Sequence, residues 1–370
     1  MTNKHNTIST RTHPKTLLVG VWTSTNPLGN QDYYFEEFLS LVDTLGLPYD
    51  QTLFLKLRAT DNNMFLTKGK LEELQTFCTT NNIELIVFSE LLSPLQERNL
   101  ERALGCTIYD REKIILDIFK QSAHSSEGKI QVEMAEIDYL KTRLTGKGRE
   151  LAQQAGMIGA RGPGETLSEE IRRHFAEKIR QAKKRLETLE RSREVQRKRR
   201  LDSHIPLICI IGYTNAGKSS LLNRIAKGDV LAENKLFATL DTTTRELYLN
   251  GTKKALISDT VGFISQIPHN LIAAFKSTLD ELHFASVLLH VVDISNPAWE
   301  SQIEVVQDTL KDLHVKAPMI YVFNKIDLLE PEQNSQIISH VISYQPQVFI
   351  HTTSKEGVAP LISLLKTYKL

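Results

Sequence analysis

The chain has 370 residues, 45 Lys and Arg against 44 Asp and Glu, and three cysteines. That is too long for one ordinary core and too evenly charged for a histone-like polyanion binder, so two or three domains are expected. With hydrophobic residues at 41% and charged residues at 24%, wholesale disorder and a membrane-embedded chain are both excluded.

Residues 1–16 are polar and rich in Thr, Asn and His, which predicts a disordered start without a secretion signal. No stretch approaches the roughly 18 uninterrupted apolar residues of a membrane helix. Cys78, Cys106 and Cys209 lie far apart with no C-x-x-C pair, so neither a disulfide framework nor a cysteine zinc site is expected. A reducing compartment follows, and the cytoplasm is the default; peripheral membrane association is compatible with both.

From residue 17 to 125, short apolar runs alternate with helical patterns. Leu17–Trp22, Gln51–Leu57 and Glu84–Phe88 read as strands, Phe35–Leu45 and Lys70–Asn81 as helices. That alternation predicts a small α/β domain with a partly parallel sheet. Nothing in it looks like a catalytic cluster.

Residues 126–202 have another texture. Ile130, Met134, Ile137, Leu140 and Leu144 recur at helical spacing, as do Ile171, Phe175, Ile179, Ala182, Leu186 and Leu189. Each set makes one apolar stripe, so two antiparallel helices packed through their stripes are expected. Thr166 with Glu169 three residues on is a capping box for the second. The segment joining them, 145–165, carries six glycines with Lys147, Arg149 and Arg161. A loop beyond about 12–15 residues is either functional or a flexible connector. The second helix is basic, with thirteen Lys and Arg against five Asp and Glu from residue 170 to 200. Such a run is a solvated face or the electrostatic footprint of a nucleic-acid binder.

Residues 203–370 read as a doubly wound α/β domain with strands at Leu207–Ile211, Ala255–Ser258, Val287–Val292, Met319–Phe323 and Val348–Ile350. The expected architecture is therefore α/β throughout: a P-loop domain preceded by a small α/β domain and a long two-helix hairpin.

Directly after the first of these strands stands Gly212-Tyr213-Thr214-Asn215-Ala216-Gly217-Lys218-Ser219, a G-x-x-x-x-G-K-[ST] sequence that runs into a helix at Ser220–Ile225. Glycines let the backbone wrap a β-phosphate, Lys218 reaches the β and γ oxygens, and the Ser219 hydroxyl ligates Mg²⁺. Asp259-Thr260-Val261-Gly262 ends a strand, placing Asp259 to hold Mg²⁺ through water and the Gly262 N–H to meet the γ-phosphate. Asn324-Lys325-Ile326-Asp327 ends another. A carboxylate at Asp327 can accept from both N1–H and the amine of guanine, whereas adenine offers no matching donors, so GTP is favoured over ATP. His351, Thr352 and Thr353 occupy the place of a base-contacting loop. A threonine that senses the γ-phosphate should lie between Ser219 and Asp259, with Thr239, Thr242, Thr243 and Thr244 as candidates. His269, His283 and His290 have no second ligand at metal spacing and read as packing residues.

These motifs resemble the HflX family of translational GTPases within the Obg–Era group. The resemblance extends to Phe237-Ala238-Thr239-Leu240-Asp241, to Phe263 after Gly262, to Ala273–Lys276, and upstream to Asp110-Arg111, Ile115–Phe119, Gly128–Glu133 and Ile158–Glu165. It covers residues 17–370 and singles out Thr239 as the γ-phosphate sensor and second protein ligand of Mg²⁺. It implies a GTPase, converting GTP to GDP and phosphate, that binds the 50S subunit. The N-terminal domain and glycine loop would lie on 23S rRNA, and the activity would split or recycle stalled ribosomes, with a monomer off the ribosome. An asparagine at the position of Asn215 ligates K⁺ in related GTPases. Two departures stand out: Ala155-Gly156-Met157 replaces a glycine triplet, and the chain stops soon after the helix expected at 359–368, short of a further domain some members carry. Two other readings are a GTP-gated binding switch whose hydrolysis is incidental and an ATP-driven RNA remodeller, the latter disfavoured by Asn324–Asp327.

Overall fold

The computed structural model describes residues 13–23, 26, 30–143, 167–202, 205–226, 236–237, 243–268, 271, 279–330 and 340–368. The chain divides into two compact units, Met1–Asn26 with Phe35–Ile114, and Pro27–Tyr34 with Ile115–Leu370.

The first unit is built on a four-stranded parallel sheet of order β2-β1-β3-β4: β1 Thr16–Thr23, β2 Gln51–Leu57, β3 Leu85–Phe88 and β4 Thr107–Tyr109. Its inner strands β1 and β3 are near-continuous apolar runs, as strands covered on both faces must be. α1 (Gln31–Leu45) begins in the segment between β1 and β2. At Gly20 the rings of Phe35 and Phe54 stack with centroids 4.1 Å apart, and a Cβ there would stand 2.5 Å from one ring and 2.8 Å from the other. Only glycine lets those rings close over the central strand. α2 (Lys68–Asn81) and α3 (Pro94–Leu104) provide the crossovers. α3 and β4 have no counterpart among the sequence expectations. Yet Ser93-Pro94 starts α3 with a complete capping box to Gln96, and Gly105 at φ +68° stops it. The apolar positions of α3 are sparse, so its termini are its clearest signal.

α4 (Arg111–Ser122) runs from the end of the first unit into the second, where α5 (Ser126–Thr142) and α6 (Leu167–Asp202) follow. α5 and α6 pack together, with Ile171, Phe175 and Ala182 buried at the expected spacing and an exposed Arg185–Glu133 ion pair at 2.9 Å. α5 departs from a single stripe: Gln131, Val132, Ala135 and Tyr139 are buried together with Ile130 and Ile137. A helix covered on more than one side needs apolar residues beyond one stripe, and these fill that role. Leu144, the glycine loop 145–165 and Thr166 of the capping box lie outside the described residues.

A six-stranded sheet follows, of order β10-β9-β8-β5-β7-β6. Its strands are β5 Leu207–Gly212, β6 Thr243–Leu249, β7 Thr252–Asp259, β8 Val287–Asp293, β9 Met319–Asn324 and β10 Gln347–Phe349. β6 alone runs antiparallel, paired to β7 through a hairpin at Asn250 (φ +52°) and Gly251 (φ +80°). Asn-Gly is the strongest short hairpin signal. β6 goes unpredicted because it is an edge strand with only Leu247 and Leu249 buried. α7 (Lys218–Ile225), α8 (Trp299–Asp312) and α9 (Ala359–Thr367) supply the remaining helices described. Strand order reverses on either side of β5, and an open α/β sheet binds its ligand at the carboxyl ends of strands at such a point. No helix among the described residues is long and apolar enough to cross a membrane.

Candidate nucleotide site

β5 delivers the chain to Gly212, whose φ of +145° and proximity to β8 admit no side chain: a Cβ would lie 2.2 Å from the Val291 carbonyl. The loop then passes exposed Asn215 at φ +60° and reaches Gly217 at φ +95°, where a Cβ would meet the Asn324 amide at 2.3 Å. Both glycines are thus required by conformation and by contact. α7 starts at Lys218, so the N–H groups of its first turn face the mouth of the loop.

The residues expected at the site from three separate stretches of sequence converge here. Ser219 Oγ donates to Asp259 Oδ2 at 2.8 Å. Asn324 Nδ2, from the end of β9, donates to the Ala216 carbonyl at 2.8 Å. Thr260 Oγ1 donates to the Ile210 carbonyl at 2.7 Å, anchoring the end of β7 under the loop. Val261 and Gly262 follow, and Gly262 lies against Lys218 and Thr214. Phe263 is tied on both sides by backbone: its N–H donates to the Gly212 carbonyl at 3.1 Å and its carbonyl accepts from Thr214 N–H at 2.7 Å. The buried Tyr213 hydroxyl accepts from Ser265 N–H at 2.7 Å. The phosphate loop and the Asp259–Ser265 segment therefore move as one piece unless these three bonds break.

The electrostatics match an anion. Lys218 Nζ donates to the Tyr213 carbonyl at 2.8 Å, and burial pushes its ammonium down to about 8 against the pull of Asp259. An oxyanion beside it would restore the charge. Among the described residues Thr214 Oγ1 and Asn324 Oδ1 are buried and meet no hydrogen-bond partner, as polar atoms that receive a ligand would be. Ser219 Oγ and the Asp259 carboxylate are adjacent hard-oxygen donors, a pair that fits Mg²⁺ completed by phosphate and water. Among the described residues no group of three or more His, Cys, Asp or Glu could hold a metal by itself.

Just beyond β9, Lys325 adopts φ +65° and its Nζ meets Asp293 Oδ2 at 2.6 Å. Ile326 and Asp327 open the 3₁₀ turn Ile326–Leu328, and Asp327 is exposed. Ile326 N–H donates to the Ile350 carbonyl at 3.4 Å, which brings the loop after β10 alongside. In that loop His351 Nδ1 lies 2.6 Å from Thr353 Oγ1, and Gly357 has no room for a Cβ because the His351 carbonyl would stand 2.3 Å away.

Phe237 is buried at φ +56° and makes a T-shaped contact with Phe119 of α4, centroids 4.6 Å apart. Phe119 also lines a small apolar cavity with Val261, Gly262 and Phe263. Ala238, Thr239, Leu240, Asp241 and Thr242 lie outside the described residues, as do His269 and residues 273–276. Thr243 and Thr244 are in β6, where Thr244 Oγ1 donates to Ser258 Oγ at 3.3 Å. Asp293 and Arg224 are not among the residues expected from the sequence, and Phe119 is there only as part of the Ile115–Phe119 stretch of the family resemblance. For Asp293 a signal existed, an acidic residue closing the apolar run of β8 at its carboxyl end.

His290 sits inside β8, and burial together with the Lys218 cation pushes its imidazole down to about 3. The unfolded chain takes up this proton near the ordinary 6.5, and the folded chain resists it until about 3, so acid favours unfolding across that window. Stability is expected to fall by up to about 1.4 kcal/mol per pH unit below pH 6.5 on account of this residue. His290→Phe should flatten urea midpoints measured from pH 7 to pH 5; an unchanged slope would remove His290 from the account.

Comparison with known proteins places these features in a family. Residues 32–120 match a model described as GTP-binding GTPase N-terminal, residues 122–200 one described as GTP-binding GTPase Middle Region, and residues 207–325 one described as 50S ribosome-binding GTPase. The GTPase HflX of Caldanaerobacter subterraneus subsp. tengcongensis is 43% identical over 333 residues, covering 89% of this chain and 76% of that one. That of Lacrimispora saccharolytica is 44% identical over 90% and 78%, and that of Escherichia coli K12 is 42% identical over 80% and 70%. With its N-terminal, middle and GTPase regions all matched in order, the chain belongs to the HflX family of GTPases.

Proposed function

We propose that this GTPase acts on the large ribosomal subunit, cycling between GTP and GDP to split or recycle stalled ribosomes in the cytoplasm, as a monomer when off the ribosome. The family description matched by residues 207–325 supports the ribosomal target. The basic stretch at 170–200 and the Lys- and Arg-bearing glycine loop at 145–165 are the parts suited to 23S rRNA, where arginine neutralises phosphate and glycine permits close approach.

In this reading the backbone from Gly212 through Tyr213, Thr214, Asn215, Ala216 and Gly217 wraps the β-phosphate, and Lys218 meets the β and γ oxygens. Ser219, Thr239 and, through water, Asp259 would hold Mg²⁺, which supplies charge neutralisation at the transferred phosphoryl group. Gly262 N–H faces the γ-phosphate, with Thr260 and Val261 carrying it into place. Phe237, Ala238, Leu240 and Asp241 present Thr239. Asp327 accepts from the guanine edge, Asn324, Lys325 and Ile326 position it, and the loop at His351, Thr352 and Thr353 closes over the base.

The observation that carries the ribosomal reading is Phe263. It follows Gly262 at the position from which a polar side chain could orient the attacking water, and it is a buried apolar ring fixed by two backbone bonds. Intrinsic hydrolysis is therefore expected to be slow, with the 50S subunit completing the site. GTP turnover should rise at least about tenfold on adding purified 50S subunits. Equal rates with and without them would overturn this and leave a GTP-gated switch with incidental hydrolysis.

Asn215 supports a second element. It stands exposed at the loop tip in the left-handed region, a position from which its side chain could ligate K⁺ beside the phosphates. Hydrolysis is then expected to be faster in K⁺ than in Na⁺ buffer, and identical rates would dispose of the ion.

A further inference from the structure

Arg224 is in the last turn of α7, the helix that begins at Lys218. Its guanidinium reaches to the loop after β10, where Nε donates to the carbonyl of Thr352 and Nη2 to the carbonyl of Thr353, both at 2.8 Å. Two bonds from one planar fork set direction as well as distance, which a lysine cannot do.

That direction has a consequence for the opposite side of the loop. Gln345–Pro346 is the cis peptide among the described residues, so the bonds 352–353 and 353–354 are trans. In a trans peptide the N–H points opposite to the preceding carbonyl. With both carbonyls drawn to Arg224, the N–H groups of Thr353 and Ser354 are turned away from it, and neither meets an acceptor among the described residues. The loop also lies close to the phosphate site: Thr352 Oγ1 is 3.9 Å from where a Cβ on Gly217 would stand, beside the Asn324 amide.

If Asp327 takes the N1–H and the amine of guanine, the remaining polar group on that edge is O6, an acceptor. It calls for N–H donors, and the loop offers two. We propose that Arg224 is a positioning residue for guanine recognition, holding the loop at 352–354 so that its N–H groups are presented to O6. This rests on the base site proposed at Asp327 and His351–Thr353. It also makes the helix that would carry the phosphate contacts a support of the base contacts.

The test uses full-length protein and competition against a ribose-labelled GDP. GDP is compared with 6-thio-GDP, in which a weak sulfur acceptor replaces O6 while N1–H and the amine are kept. Wild type should prefer GDP by about tenfold. R224A should weaken GDP by about the same factor and 6-thio-GDP by less than about twofold, collapsing the preference. R224K, with a point charge in place of a fork, should fall between. An equal loss for both nucleotides would show a merely structural role and overturn the proposal, as would an R224A protein with wild-type discrimination. A wild-type protein that does not prefer GDP to ADP would overturn the base site itself, a failure separable from that of Arg224.

Discussion

Gly262→Ala is expected to slow GTP hydrolysis by about 100- to 1,000-fold while GDP affinity stays within about threefold. A Cβ at residue 262 would stand 2.9 Å from Lys218 Nζ, 2.9 Å from Thr214 Cγ2 and 3.1 Å from Thr214 Cα. The ammonium is the end of a flexible chain and can yield. The backbone of Thr214 cannot, because its N–H is bonded to the Phe263 carbonyl and Phe263 N–H is bonded in turn to Gly212. The strain must then be relieved by withdrawing residue 262, which in the proposed site would take its N–H away from the γ-phosphate. An oxyanion donor displaced from the transition state costs a few kcal/mol in rate. GDP has no γ-phosphate to miss that donor, so its binding reports whether the rest of the site is intact. Single-turnover hydrolysis together with GDP titration measures both. Hydrolysis within threefold of wild type would mean that Gly262 N–H does not serve the reaction.

Asp327→Asn is expected to lower GTP affinity by about 100-fold and to make xanthosine triphosphate the preferred ligand. The carboxylate can accept twice from guanine, whereas an amide presents one acceptor and a donor, leaving a guanine donor facing another donor. Xanthine carries a carbonyl where guanine has its amine, so the amide N–H finds a partner again. The surroundings keep the residue in place for this exchange: Asn324 is fixed on Ala216, Lys325 on Asp293, and Ile326 on Ile350. Competition titrations with GTP, ATP and xanthosine triphosphate read the result. A variant that still prefers GTP would take Asp327 out of the base site.

These two residues illustrate what was legible before any coordinates. Gly212–Ser219, Asp259–Gly262 and Asn324–Asp327 each compress their chemistry into a few consecutive residues, because a phosphate is held largely by one stretch of backbone and a base by one strand end. Such devices are local, and a local device is written in local sequence. The same holds for β1, β3 and β5, whose burial on both faces forces unbroken apolar runs. β6 itself stayed hidden because an exposed edge strand has little to bury.

Side-chain partners far apart in the chain were decided by the fold. Arg224 finds carbonyls 128 and 129 residues away. Asp293 pairs with Lys325 because β8 and β9 lie side by side in parallel, with Asp293 opposite Asn324. Cys78 and Cys106, unrelated by any spacing rule, become buried neighbours, and burial and the second thiol push Cys78 up to about 12. His290 is kept neutral by the low dielectric of the sheet core and the cation above it. The family, the reaction and the order of the nucleotide motifs are all readable along the chain, because each motif is a short segment with its own backbone chemistry. Which charges and carbonyls meet around those motifs depended on the strand order β10-β9-β8-β5-β7-β6. That order follows from how crossovers pack over the whole sheet, and no single segment encodes it.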